Sequence, residues 1–160
     1  MDTGQAMEPR FIADSMLGTL AKWLRILGCD VEFFPEIPDD ELADRVEETG
    51  RVLLTRDTLI IKRRKVRDRH FFVRGDDCKD QLRQVVAHFP LDPEKRLFSR
   101  CVLCNEPLVE IAKPAVAERV PPYVLRTQDR FRSCRACGRI YWPATHHDGM
   151  ARHLKELLEG

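Results

Sequence analysis

With 160 residues, 43% apolar and 33% charged, the chain has the length and composition of one ordinary globular domain, or of a small one with an accessory module. No uninterrupted apolar run exceeds four residues, which excludes a transmembrane helix of about 20 residues. The formal net charge of +1, from 27 basic and 26 acidic side chains, argues against a simple polycationic nucleic-acid binder. Met1 to Arg10 carries neither the apolar core nor the cleavage pattern of a signal peptide, so a cytoplasmic location is expected. The charge is unevenly spread. Residues 1–50 hold 12 acidic and 4 basic side chains, and residues 51–74 hold 9 basic and 2 acidic. A nuclease needs both signs, carboxylates for metal ions and cations for phosphate, but two solvated helix faces produce the same blocks.

Phe11-Ile-Ala13 reads as a short buried strand ending at Asp14. Leu17, Leu20, Ala21, Leu24 and Leu27 then repeat at helical spacing, with Asp14 or Ser15 as cap and Gly28 as the left-handed close. Val31-Glu-Phe-Phe34 is a second strand, stopped by Pro35 and Pro38. Asp39, Asp40 and Glu41 crowd the first turn of a helix carrying Leu42, Ala43 and Val46 and ending at Gly50. Val52-Leu-Leu-Thr55 is a third strand, followed by Arg56-Asp57. A basic segment, Lys62 to Arg69, leads to a fourth strand, His70-Phe-Phe-Val73, which ends at Gly75-Asp76-Asp77. Gln81 to Phe89 is predicted helical, with Leu82, Val85, Val86 and Phe89 on one face.

Strands alternating with helices predict an α/β fold whose mostly parallel sheet is flanked by helices. All strand carboxyl ends then share one edge, the edge at which open α/β sheets bind ligands. Asp14, Asp39 with Asp40, Asp57, and Asp76 with Asp77 follow those four ends. Such a cluster needs cations to offset its self-repulsion, although Asp14 and Asp39 also suit helix caps and Asp76 or Asp77 a turn. Hard carboxylate oxygens suit Mg²⁺ or Mn²⁺, with Asp14 and Asp57 the first candidates as ligands, and the reaction class is metal-assisted phosphodiester hydrolysis. Lys22, Arg25 and Arg56 are the nearby cations for phosphate. The run Lys62-Arg-Arg-Lys65 with Arg67 and Arg69 either tracks a phosphate backbone or faces solvent.

Six cysteines in such a chain do not suggest a disulfide framework. Four of them stand as Cys101-Val-Leu-Cys104 and Cys134-Arg-Ala-Cys137, two turns that together complete a tetrahedral thiolate cage for Zn²⁺, with Gly138 suited to the second turn. All-sulfur ligation leaves no open position for water, so this metal is structural. Cys29 and Cys78 read as small packed apolar residues. Phe131, Tyr141 and Trp142 interleave with Arg126, Arg130, Arg132, Arg135 and Arg139. That is the pattern of a base-stacking surface with phosphate contacts, or the aromatic packing that so small a module requires. The tail from Gly149, with Met150, Leu154, Leu157 and Leu158, predicts a short amphipathic helix.

The stretch Phe11-Ile-Ala-Asp-Ser-Met-Leu-Gly18, continuing through Leu20-Ala-Lys-Trp-Leu-Arg25, resembles the Mut-seven C-terminal ribonuclease domain family of PIN-like nucleases. So do Asp39-Asp40-Glu-Leu42, Arg51-Val-Leu-Leu-Thr-Arg-Asp57 and Asp80-Gln-Leu82, and Cys137-Gly-Arg-Ile-Tyr-Trp142 resembles that family's fused zinc ribbon. The resemblance runs from about Arg10 to Met150. It implies a PIN-like nuclease domain over residues 10–96, a zinc ribbon over 97–148 and a C-terminal helix over 149–160. It further implies a divalent-metal-dependent ribonuclease whose acidic positions are Asp14, Asp39 or Asp40, and Asp57, with Lys22, Arg25 and Arg56 touching phosphate. The zinc ribbon would assist RNA binding. The sequence leaves the oligomeric state open, with a homodimer as one arrangement that would extend the RNA groove. Where the family often has Gly-Ser/Thr-His-Trp, this chain reads Pro143-Ala-Thr-His146-His147, so the resemblance assigns no role to His146. The alternative is a catalytically inactive RNA-binding or adaptor protein.

Overall fold

Three consecutive apolar residues can all be buried in a strand only if both faces of its sheet are covered. β1 (Phe11–Ala13) is fully buried in the computed structural model, which describes residues 8–91, 96–143, 152 and 154–156. β2 (Val31–Phe33), β3 (Val52–Thr55) and β4 (His70–Phe72) join it in a parallel sheet of order β2-β1-β3-β4. Phe11 lies opposite Val31 on one side and Val52 on the other, and Leu54 lies opposite Phe71. Helices α1 (Gly18–Ile26), α2 (Asp39–Thr49) and α3 (Arg64–Arg67) occupy the connections, and α4 (Cys78–His88) follows β4. The pleat sorts the side chains into two cores. Phe11, Ala13 and Leu54 pack with Leu20 and Leu24 of α1 and Leu82 and Val85 of α4. Ile12 and Leu53 pack with Leu42 and Val46 of α2 and Val66 of α3. Each fully buried Leu, Val or Phe contributes about 1.5–3 kcal/mol relative to exposure, so the two layers hold the sheet from both sides. The fold is the expected α/β arrangement.

Helix ends follow local chemistry. α1 closes with Gly28 N–H on Arg25 O and Cys29 N–H on Leu24 O, both 2.9 Å, while Gly28 sits at φ +89°. A Cβ at Gly28 would come within 2.3 Å of the Arg96 carbonyl oxygen, so this turn also admits the later chain against it. α4 starts at Cys78, ahead of the expected Gln81, because the Asp77 carboxylate accepts the Lys79 N–H at 2.8 Å and caps the helix there.

Beyond residue 96, β5 (Leu108–Ile111), α5 (Pro122–Thr127), β6 (Phe131–Cys134) and β7 (Ile140–Tyr141) follow, the three strands forming an antiparallel sheet of order β5-β6-β7. Its small core gathers Val116, Val120, Val124 and Phe131. Leu154 is buried in the core between α1 and α4, and Gly149, Met150, Leu157, Leu158 and His146 lie outside the described residues. No helix among the described residues is long and apolar enough to cross a membrane.

Candidate active site

The strand order makes a crevice. β1 passes through α1 to β2 on one side, whereas β3 passes through α3 to β4 on the other, so the loops leaving β1 and β3 diverge. Asp14 follows β1, Asp57 follows β3, and Asp39 opens α2; all three line one crevice with Ser15, Met16, Ile37, Leu42 and Ile60. Its volume of about 50 Å³ admits a divalent ion with part of its water shell.

Asp14 is only 6% exposed, and a buried carboxylate needs donors. Its Oδ1 accepts the Met16 N–H at 2.9 Å, and its Oδ2 accepts the Thr55 hydroxyl and the Arg56 N–H, the latter at 3.2 Å. The Thr55 Oγ1 in turn accepts the Asp57 N–H at 2.9 Å, and Asp57 Oδ1 accepts the Leu59 N–H at 2.8 Å. A carboxylate offers about four acceptor sites, so Asp14 keeps one in reserve. Among the described residues no hydrogen bond uses Asp57 Oδ2 or the Asp39 carboxylate. Thr55, fully buried, ties two of the three aspartates together, and sequence reading passed over it. Its signal was a hydroxyl closing an apolar run two residues before an aspartate.

The other charged candidates go elsewhere. Asp40 is exposed, pairs with Arg63 and does not line the crevice, so of the two neighbours it is Asp39 that joins Asp14 and Asp57. Asp76 pairs with Arg56 at 2.7 Å, and Asp77 caps α4. Lys22 is exposed on α1, outside the crevice lining. Lys65 pairs with Asp44, and the Arg69 guanidinium donates to Glu47 O at 3.3 Å. Much of the basic segment therefore faces the acidic helix α2.

The four cysteines meet. Their Sγ atoms all lie within 4.8 Å of one another, with Cys101 and Cys137 3.9 Å apart. A tetrahedron with metal–sulfur bonds of 2.3 Å has edges of about 3.8 Å, so this set can bind a metal ion such as zinc. Among the described residues it is the one cluster of ligand atoms this tight; the three aspartates share a crevice without closing to that degree. The two turns are alike. Cys101 O accepts the Asn105 N–H at 2.9 Å and Cys134 O the Gly138 N–H at 2.8 Å, with Asn105 at φ +66° and Gly138 at φ +75°. Burial raises the Cys101 thiol, but hydrogen bonds from the Tyr141 hydroxyl and the turn's own N–H groups outweigh it and hold it at about 7. The Cys137 contact and then burial push Cys104 up to about 12. A metal displaces these protons. Cys29, pushed up to about 12 by burial, packs in the α1 core as a small apolar residue.

The aromatic residues of this unit serve the unit itself. Phe131 is 2% exposed in its core, Trp142 packs on Phe131 with ring centroids 6.3 Å apart, and the Tyr141 hydroxyl sits 3.1 Å from Cys101 Sγ. Packing accounts for Phe131, whereas Tyr141 and Trp142 each make a contact within the unit and keep part of their surface exposed.

Arg25 explains how this unit attaches. It is 9% exposed; its Nε donates to Val31 O at 2.9 Å, and its Nη1 donates to Val102 O at 2.8 Å and Leu103 O at 3.3 Å. Asn105 completes the junction, with Oδ1 accepting the Val31 N–H at 2.9 Å and Nδ2 donating to Asp30 Oδ1 at 2.7 Å. Arg51, 7% exposed, donates to the same Asp30 oxygen at 2.8 Å. Burial raises the Asp30 carboxyl, but the bonds from Arg51 and Asn105 outweigh it and hold it below the usual range. These contacts gather at the start of β2 and the end of α1, opposite the crevice. The Arg25 guanidinium is thereby committed to backbone carbonyls, away from any phosphate at the aspartates.

Searches of the curated proteins and of the solved structures found no significant match. A family model does match, over residues 9–154, a span that takes in the aspartate crevice and all four clustered cysteines, and the chain belongs to the family of the Mut7-C RNAse domain.

Proposed function

We propose that this protein is a divalent-metal-dependent ribonuclease with Asp14, Asp39 and Asp57 as its catalytic carboxylates. The observation that carries the reading is that aspartates from three separate segments line one crevice at the switch point of a parallel sheet. Membership of a ribonuclease family supplies the substrate class. The donor set fits Mg²⁺ or Mn²⁺, because hard oxygen ligands in a small hydrated crevice are what those ions take. When bound, such an ion supplies the positive charge that activates water and offsets the charge on phosphate. Asp14, fixed by three donors, orients the crevice. Asp39, the second oxygen of Asp57 and the one remaining acceptor site of Asp14 hold the unused acceptor capacity.

Arg56 is the proposed phosphate contact. Its partner Asp76 is 92% exposed, and an exposed ion pair of this kind is worth at most about 1 kcal/mol, so exchange for a phosphate oxygen costs little. Lys22, exposed on α1 and outside the crevice lining, is a second contact on the family resemblance alone. Arg25 is left out because buried backbone carbonyls hold it, and Asp40 because it does not line the crevice. The four cysteines hold zinc as a structural ion, and a reducing cytoplasm is the compartment that keeps them available. Residues 10–96 form the nuclease unit and 97–148 the ribbon docked on it. We assign the ribbon a supporting role in RNA binding, with Phe131 kept in its own core.

Labelled RNA incubated with purified protein in Mn²⁺, Mg²⁺ or EDTA tests this. Cleavage is expected with metal and none in EDTA, with Asp14→Asn or Asp57→Asn slowing it by about 100-fold or more at unchanged circular dichroism. Undiminished cleavage by Asp14→Asn protein overturns the assignment. RNA binding that survives EDTA, with no cleavage in any metal, makes the chain an RNA-binding or adaptor protein instead.

A further inference from the structure

The same three-residue pattern leaves β1 and β3: aspartate, a hydroxyl residue, then a large apolar residue, as Asp14-Ser15-Met16 and Asp57-Thr58-Leu59. In each, the third residue's N–H donates to the aspartate Oδ1, at 2.9 Å for Met16 and 2.8 Å for Leu59. Each turn therefore pins one apolar residue to one carboxylate of the crevice. Neither side chain is packed away. Met16 is 64% exposed and Leu59 68%, whereas the next residues, Leu17 and Ile60, are each 1% exposed. Both turns thus bury one apolar side chain and hold the preceding one in solvent beside the acidic crevice. Met16 and Leu59 belong to neither core of the α/β unit.

We infer that Met16 and Leu59 are specificity-determining residues that grip nucleobases of an unpaired RNA strand around the phosphate held at the aspartates. This rests on the crevice being the hydrolytic site proposed above. Beside a phosphodiester the substrate's bases offer such side chains an apolar face, whereas its phosphates are charged and hydrated. A duplex keeps base faces stacked inside the helix, whereas an unpaired strand can lay them on a thioether or an isobutyl group. Two such groups, each tethered to a carboxylate, select for unpaired RNA without reading its sequence.

The test compares unpaired and duplex RNA of one sequence, using wild type, Met16→Ser, Leu59→Ser and Met16→Leu. For unpaired RNA each serine variant is expected to raise KM about tenfold while kcat falls much less, because an apolar contact of this size is worth about a factor of ten. Met16→Leu, which keeps an apolar side chain, regains most of what Met16→Ser loses, and wild type disfavours the duplex. An unmoved KM in both serine variants, or duplex cut as readily as unpaired RNA, overturns the inference. Failure of the nuclease reading shows separately, as no metal-dependent cleavage by wild type. In that event fluorescence anisotropy with fluorescein-labelled unpaired RNA in EDTA decides: a Kd raised about tenfold by the serine variants sustains the base contact. An unchanged Kd overturns it and leaves the exposed pair to a protein partner.

Discussion

Thr55 shows how much of the crevice depends on one buried hydroxyl. It donates to Asp14 and accepts from the backbone of Asp57, so one side chain sets the spacing between carboxylates on neighbouring strands. Thr55→Val keeps the shape and removes the hydroxyl, leaving the Asp57 N–H without its partner at a cost of about 1–3 kcal/mol. Because it also loosens two of the three carboxylates, metal-dependent RNA cleavage should fall by about 10-fold or more in kcat. Thr55→Ser should retain most of the rate. Thermal melting and cleavage measured on both variants check this, and a valine variant as active as the serine one refutes the positioning role. Asp14 and Asp57 were readable from the sequence because each follows a short apolar run. The choice between Asp39 and Asp40 was not, since both occupy one helical turn and only the helix's rotation separates crevice from Arg63. The placement of Arg25 is hidden for a related reason: two of its acceptors are the carbonyls of residues 102 and 103, which no local periodicity announces.

At the scale of elements, the junction between the cysteine turn and β2 solves an edge problem. Among the described residues β2 pairs with β1 alone, and an unpaired edge invites another strand. The outward N–H and C=O of Val31 are instead taken by Asn105 and Arg25. Asn105 follows Cys104 directly at positive φ, so its aim is set by the turn that gathers the sulfurs. Stripping metal from the cysteine site should therefore speed hydrogen exchange at the Val31 amide by about tenfold or more, as loss of a buried hydrogen-bond partner predicts. Asn105→Ala should do the same with metal retained. Val31 exchange indifferent to chelation would separate metal binding from the sheet. The alternation of strands and helices, and the paired cysteines, were visible in the sequence because they are local patterns. The docking was not: Asn105 and Val31 stand 74 residues apart, and a hydrogen bond at that separation leaves no periodic trace.

Over the whole molecule, the formal charge of +1 is a cancellation made in space as well as along the chain. The acidic first third supplies α2, the basic segment supplies α3 and its flanks, and the two meet through Asp40 with Arg63 and Asp44 with Lys65. The Arg63–Asp40 and Arg56–Asp76 pairs are both solvent-exposed, so position decides between them: Arg56 stands beside the crevice, its backbone N–H on Asp14, where it can exchange its partner for phosphate. Binding of labelled unpaired RNA at fixed metal should accordingly show a shallow salt dependence, with log Kd rising by roughly 0.7 per phosphate contact for each decade of salt. Arg56→Ala should reduce that slope by about 0.7, the signature of one lost contact. Arg63→Ala should leave the slope in place, because Arg63 faces Asp40, which lies outside the crevice lining. If Arg63→Ala flattens the slope as much as Arg56→Ala, the basic segment itself is the backbone track, and the pairing across α2 and α3 gives way to RNA on binding.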